Sequence, residues 1–554
     1  MPALHALNRR LRDLSVAVAA ALLCSTAAAQ GGEVSLQRQW QYPHAQTGVP
    51  GQKAEIPAYD ERTDTLWVAG VVGVDVLDRA TGTLRAHISV TNFGAVNGIA
   101  LHDGVAAFAI ESTVDRTLPG VVVFYDTRSR RQLGQPVPVG ALPDMLTFTP
   151  NGKQVLVANE GTPNVRPTPP GLSAADPVGS VSVIDVRTRA VTTLPIDASI
   201  PGYDSLRLFP AQGTLPTQPA TYSSYDPEPE YIAVDKTGKY AYVGLQEANG
   251  IAVLNLQTQR FERIYNLGLK DFSLPGNEID PNDQDGRIAL RSVPVKGLYQ
   301  PDTIATYEHK GRTYLVMANE GDARDNGERD SEDERRGSAG NASIEYAPDS
   351  SELGRLTLSN VDSVRGGPLV KFGGHSFSIR DTDGNIVFDS GSQLDREAIR
   401  LDIYDDGRSD NKGVEPEGVA LLQIKGRVLA FIGLERTTTA AFAVYDVTDP
   451  EAVQPLEPIS TRAKPATVPI RSPEGLAVFR VGARYFIAIA NEVSDTTVLF
   501  EIDVGQAVAA ASTRLASICT RHMRCSRVRS QPRCGRDAAA VPVCATSRRA
   551  AAAS

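Results

Sequence analysis

One phrase recurs along this chain and limits what it can fold into: Pro then Asp or Glu, a short apolar run, a Gly-containing turn, and a second apolar run ending in Glu. It runs from Pro143-Asp144 to Asn159-Glu160, Pro229-Glu230 to Gln246-Glu247, Pro301-Asp302 to Asn319-Glu320, Pro416-Glu417 to Leu434-Glu435, and Pro473-Glu474 to Asn491-Glu492. Two looser relatives stand upstream, Ala54 to Gly73 and Asn97 to Glu111. Repetition of this kind means one supersecondary unit built several times over.

Inside a copy the apolar residues form two short runs around a glycine, as in Tyr231-Ile232-Ala233-Val234 and Tyr240-Ala241-Tyr242-Val243 flanking Thr237-Gly238-Lys239. This is the pattern of a β-hairpin. A third run follows and closes on Asp or Asn: Val181 to Asp185, Ile251 to Asn255, Phe442 to Asp446. Sheets of three or four antiparallel strands, repeated about seven times, predict an all-β chain folded as a β-propeller of seven blades. An open two-sheet sandwich is the alternative, and its strands have no reason to keep so constant a phrase. The 42% hydrophobic content with only 6% aromatic residues fits blades packed through Val, Ile, Leu and Ala.

The ends differ in kind from this core. Arg9, Arg10 and Arg12, an apolar stretch from Leu14 to Leu23, and Ala27-Ala28-Ala29 predict a secretory signal peptide over 1–29. The propeller domain then covers 30–504, with a loop insertion at about 322–370. Residues 505–554 are rich in Arg and Ala, hold four of the five cysteines and show no strand pattern. They read as a disordered tail or the product of a shifted frame, with no stretch able to span a membrane. The formal charge of −9 hides a more acidic core: without both ends it is about −19. Such a field repels nucleic acid and attracts cations. The expected chain is exported, periplasmic, extracellular or at the cell surface, and by default a monomer.

In a hairpin the start of the first strand lies beside the end of the second. The leading acid and trailing Glu of each copy are therefore expected to meet, and in a radial arrangement to crowd one mouth of a central channel. Those acids are Asp144, Glu160, Glu230, Glu247, Asp302, Glu320, Glu417, Glu435, Glu474 and Glu492. So many carboxylates ionise together only if cations or donors compensate them. One compensation is a hard divalent cation, Ca²⁺ first, which takes oxygen ligands. The other is a set of backbone N–H bonds that latch blade to blade. Asp322 and Asp325, after the Glu320 copy, are candidate additional ligands; Arg324 and Arg436 are candidate anion-binding residues.

Other acidic segments carry less. Asp381-Thr382-Asp383-Gly384-Asn385 reads as a hairpin turn. Asp280 to Gly286 fails the calcium-loop register, because Pro281 holds the first ligand position. The chain has no nucleophile elbow, phosphate loop or paired metal histidines, and its seven histidines are scattered. His375, beside Gly373-Gly374, reads as a satisfied loop residue.

Several phrases are long enough to be specific. Asp226-Pro227-Glu228-Pro229-Glu230-Tyr231-Ile232-Ala233-Val234, Ala318 to Asp325, Ser376-Phe377-Ser378-Ile379, Ser409-Asp410-Asn411-Lys412-Gly413, Glu415 to Val419 and Ala490 to Ser494 together resemble the choice-of-anchor I family. The resemblance runs from about Ala54 to Ile502. It implies an exported propeller attached to surfaces by varied C-terminal devices, related to mesenchyme-specific cell-surface glycoproteins, with some relatives labelled alkaline phosphatase or phytase-like. It carries over no catalytic residue. This chain departs from the family pattern after Ile502, where neither a sorting signal nor a closing helix stands. Two functions follow as expectations: a secreted cation-binding module taking a small ion or surface ligand, or a metal-dependent phosphoesterase acting on a phosphate ester, with Arg324 or Arg436 on the phosphoryl oxygens.

Overall fold

The computed structural model describes residues 34–168, 171–175, 177–208, 227–324, 333–337, 353–363, 367–456, 459–460 and 471–505; the expected signal peptide, Asp325 and residues 506–554 lie outside them. Seven antiparallel sheets follow one another, over 56–89, 96–141, 143–195, 232–266, 304–389, 416–460 and 473–504. The first six supply all their strands from their own span. The seventh has three of its own, and its outer strand is Val34–Pro43, paired antiparallel with Thr496–Val504.

The opening strand of each sheet touches the opening strand of the next: Ile56–Asp60, Val96–His102, Pro143–Phe148, Ile232–Val234, Ile304–His309, Pro416–Ile424 and Pro473–Val481, the last touching the first. The sheets therefore stand in a propeller-like ring around a common axis. The all-β expectation holds, with one α-helix, Gln393–Arg400, among the described residues. None of them forms a helix long and apolar enough to cross a membrane.

Side-chain alternation explains the ring. In the second strand of the first sheet, Trp67 and Ala69 pack with Phe108 of the second sheet, whereas Leu66 and Val68 pack with Phe486 of the seventh. Likewise Phe108 faces the first sheet, while Ala107 and Ala109 face Val155 and Val157 of the third. Because both faces of a central strand are covered, it reads as a continuous apolar run rather than as apolar-polar alternation. Seven apolar clusters result, one for each junction between neighbouring sheets. Each large side chain buried there contributes roughly 1.5–3 kcal/mol.

Third strands end on Asp or Asn for a local reason. Asp185 Oδ1 accepts the backbone N–H of Thr188 at 2.7 Å, Asn255 Oδ1 that of Gln257 at 3.0 Å, and Asp446 Oδ1 that of Thr448 at 3.0 Å. The side chain thereby starts the turn into the next strand. Gly238, with φ +68°, occupies the left-handed turn position between the two runs quoted above.

The span expected to be a loop insertion at about 322–370 is ordered in its described parts. Glu334–Arg336 and Thr357–Ser359, with Leu369–Lys371, complete a separate five-stranded sheet with Leu269–Asp271 and Val295–Leu298. Its strands have only three or four residues, too short for sequence periodicity to register. The Asp381–Asn385 segment is a hairpin turn as expected: Asp381 Oδ1 accepts the N–H groups of Asp383 and Asn385 at 3.0 and 2.9 Å. Asp280 is spent on the N–H of Ala289 at 2.8 Å.

Candidate cation site

The recurring phrase acquires its geometry at the start of each opening strand. Leu142, Gln300, Glu415 and Ser472 immediately precede the prolines of four copies, and all four hold positive φ, between 42° and 55°. Non-glycine residues adopt this conformation at a cost. It aims the carbonyl of Leu142 at the N–H of Glu160 (2.9 Å), that of Glu415 at Glu435 (3.0 Å) and that of Ser472 at Glu492 (2.9 Å). Leading acid and trailing Glu thus meet, as the hairpin argument requires. Beyond the proline, the register shifts between Pro143 and Leu146, Pro416 and Val419, and Pro473 and Leu476, so the acid sits on a β-bulge.

The asparagine before the trailing Glu does different work. Asn159 binds the carbonyl of Ser180 at 3.1 Å and the hydroxyl of Ser182 at 3.0 Å; Asn319 binds Ser376 and Ser378, and Asn491 the carbonyl of Thr496 at 3.0 Å. All three are fully buried and tie the second strand to the third.

At the axis lies a cavity of about 280 Å³, lined from all seven sheets by Glu55, Asn97, Asp144, Tyr231, Asp302, Glu417 and Glu474, with Glu492 at its side. Glu55 and Asn97 were not among the residues expected from the Pro-acid phrase. They sit at its equivalent position in the two looser copies, where the proline is missing.

The expected ring resolves into three sectors. Between the third and fourth sheets stand Glu160, Glu230 and Glu247, with Glu228 beside them. Thr162 donates its hydroxyl to this group, 2.8 Å from both Glu160 and Glu228. Arg324 pairs with Glu228 at 2.7 Å. Burial, followed by neighbouring carboxylates, pushes Glu160 and Glu230 well above the usual carboxylate range and Glu247 to about 8.

The second sector joins the fifth and sixth sheets and has its own cation. Lys412 Nζ lies 2.7 Å from Glu320, 3.2 Å from Glu415 and 3.8 Å from Asp322. Glu320 also accepts from Gln246 of the fourth sheet at 2.9 Å. Arg408 reaches Glu415 at 2.9 Å, and Arg436 reaches Glu435 at 2.8 Å. Side chains, rather than the expected backbone N–H groups, latch this sector.

The third sector lies between the sixth and seventh sheets. Oxygen atoms of Glu417, Glu435 and Glu474 lie within 4.8 Å of one another. Glu435 is shared with the second sector, where oxygens of Glu320, Glu415 and Glu435 also lie within 4.8 Å of one another. Glu417 is 9% exposed, and its Oε2 has no donor other than the neighbouring carboxyl groups. Burial first, then the charges of Glu474 and Glu435, push Glu417 well above the carboxylate range. Glu474 moves the same way, and burial with Glu320 nearby brings Glu435 to about 7. Around the axis, burial raises Asp302 to about 8, Glu55 to about 7 and Asp144 to about 6.

These positions match the chemistry of a hard cation. Ca²⁺ takes six to eight oxygens, of which three carboxylates offer up to about six, with water completing the shell. The site residues that sequence reasoning missed, Glu55, Asn97, Glu228, Glu415 and Lys412, carried a signal only in hindsight of the fold: four occur within or beside copies of the phrase, and Lys412 in a quoted family motif. His375 is satisfied, as expected, by Lys371 Nζ at 2.6 Å and Asp395 at 3.0 Å.

A family model described as the choice-of-anchor I domain matches residues 55–450. No curated protein matches the chain. Among solved structures, Kuenenia stuttgartiensis hydrazine synthase is similar at 10% identity and a TM-score of 0.42, over 81% of this chain and 96% of that one.

Proposed function

Since the chain belongs to the choice-of-anchor I family, we propose that it is a seven-bladed β-propeller serving as an exported, periplasmic or surface-associated binding module, with a divalent cation, Ca²⁺ first, at its carboxylate-lined mouth. The seven junction clusters and the contact between last and first opening strands support the blade count. The observation that carries the cation is Glu417. Its buried Oε2 lacks a donor beyond carboxyl groups, in a trio where Arg436 is spent on Glu435 at 2.8 Å and no ammonium of the described residues is paired with Glu417 or Glu474. The second trio is compensated by Lys412, so the ion belongs on Glu417, Glu435 and Glu474. A carboxyl trio left in this state is costly, and a bound cation removes the cost.

A phosphoesterase needs the same ion and a cation for the phosphoryl oxygens. Arg324 is held by Glu228 and Arg436 by Glu435, so nothing in their geometry favours that reading over binding alone. Calorimetric titration of the full chain with Ca²⁺, with p-nitrophenyl phosphate hydrolysis followed in the loaded sample, tests both. Binding without turnover is the expected result. Hydrolysis that tracks occupancy would replace the binding module by the enzyme, and no binding would remove the cation site.

A further inference from the structure

The axial cavity is a poor match for a bare ion alone. Its volume of about 280 Å³ lies near the lower end of small-molecule sites, roughly 300 Å³, and equals some nine water volumes of about 30 Å³ each. Carboxyl groups stand on opposite sides of the ring: Glu417 and Glu474 on the sixth and seventh sheets, Asp144 on the third. Ile56, Ile99, Met145, Leu146, Val419 and Leu476 give the wall its apolar part, and Glu55 and Asp302 add carboxyl groups on the first and fifth sheets. No Lys or Arg is among the described residues that line it. An occupant that suits this lining brings positive charge together with hydrocarbon.

The same mouth shows how it treats an ammonium. Lys412 sets Nζ against Glu320 and Glu415, with only 12% of its side chain exposed. Arg408 reaches the same Glu415 carboxylate at 2.9 Å. Glu417, next in the ring, has an Oε2 with no donor beyond carboxyl groups. Glu435, held by Arg436 at 2.8 Å, belongs to both trios, so the two sectors are neighbours: Lys412 fills the first, while Glu417 and Glu474 of the second line the channel.

Resting on the reading that Glu417, Glu435 and Glu474 form a cation site, we propose that the channel binds a primary alkylammonium of the diamine class. One ammonium sits on that trio, the carbon chain lies along the apolar wall, and the far ammonium meets Asp144. The ligand chemistry is shared by a free diamine and by a lysine side chain.

Calorimetry on the full chain at pH 8 and constant ionic strength tests this with 1,5-diaminopentane, ethylammonium, Nα-acetyl-lysine amide and Ca²⁺ as probes. The expected result is one diamine per chain, bound at least tenfold tighter than ethylammonium, with the apparent Ca²⁺ affinity falling as diamine occupancy rises. Met145→Phe narrows the apolar wall away from the trio; it is expected to weaken the diamine at least tenfold and leave Ca²⁺ binding unchanged. Ca²⁺ binding without diamine binding, or diamine no tighter than ethylammonium, overturns the inference and leaves the cation site standing. Failure of every probe overturns both, and diamine binding without Ca²⁺ keeps the inference while removing the divalent ion. A lysine amide as tight as the diamine supports the ammonium assignment with a protein side chain as its source; a weaker one supports it with the free amine.

Discussion

Nδ1 of His44 lies 2.7 Å from Oδ2 of Asp75, and this pair joins the two ends of the ring. His44 directly follows the strand Val34–Pro43 that completes the seventh sheet, while Asp75 belongs to the third strand of the first. Nε2 of the same imidazole reaches the Thr497 hydroxyl at 2.8 Å, and the second oxygen of Asp75 takes Nδ1 of His87 at 2.7 Å. His44 and Asp75 are fully buried. Burial pulls the Asp75 carboxyl upward, but bonds from His44, Thr47 and His87 outweigh it and hold the group below its usual range.

Asp75→Ala should therefore loosen the closure. It strands two imidazoles and a hydroxyl, which costs about 3 kcal/mol. Urea unfolding at pH 7 measures this as a lower midpoint. Since the folded carboxyl titrates below its unfolded value, its contribution is present above the unfolded pKa and lost as pH falls through the folded one. The difference between wild type and variant should shrink below pH 4. A loss under about 0.5 kcal/mol at pH 7 would mean that the backbone ladder alone closes the ring.

The axial carboxyls give the opposite pH sign. Glu435 and Glu55 stand at about 7, Asp302 and Glu247 at about 8. Unfolded acids release their protons near about pH 4.3, so between that value and about 8 the native ring holds more protons than the unfolded chain. Stability of metal-free protein then falls as pH rises through this window. Thermal unfolding should show a lower Tm at pH 8 than at pH 5, and saturating Ca²⁺ should flatten the difference by replacing protons. A metal-free Tm that climbs from pH 5 to pH 8 would contradict the compensation argument.

Much of this was legible because the phrase is repeated and its two ends are bound by hairpin geometry. Asn159 and Glu160, or Pro416 and Glu417, mark the same place in every copy. What escaped notice has physical reasons. The strand Val34–Pro43 pairs with a segment more than four hundred residues away, and no local pattern announces such a partner. Glu55 and Asn97 occupy ring positions without the proline that flags the others. Lys412 acts through tertiary contact with Glu320, 92 residues distant, and reads locally as one charge in a polar loop. Strands of three residues, such as Thr357–Ser359, are too short for any period.

Glu417→Gln separates charge from shape. Glutamine keeps the volume and gains a donor for Glu435 and Glu474, so the metal-free protein should gain about 1 kcal/mol at pH 8. The same change removes a ligand from the trio and should weaken Ca²⁺ by at least about tenfold, or roughly 1.4 kcal/mol. Tm and calorimetric affinity must move in opposite directions. A variant that loses stability and keeps its calcium would place the ion elsewhere.

Lys412→Met tests the internal cation. Methionine retains the buried stem but withdraws the ammonium from Glu320 and Glu415, whose side chains are 13% and 1% exposed. Arg408 still holds Glu415 at 2.9 Å, and Gln246 still donates to Glu320, so the cost is at the lower end for a broken buried pair, about 3 kcal/mol. The variant also leaves Glu320, Glu415 and Glu435 as a second trio with oxygens inside 4.8 Å and no ammonium between them. Its calcium stoichiometry should rise above that of the wild type, and Ca²⁺ should recover more Tm in the variant than in the parent. Unchanged stoichiometry with an uncorrected loss of stability would show that Lys412 fills its sector by shape as well as charge, and that the two trios are not equivalent cation sites.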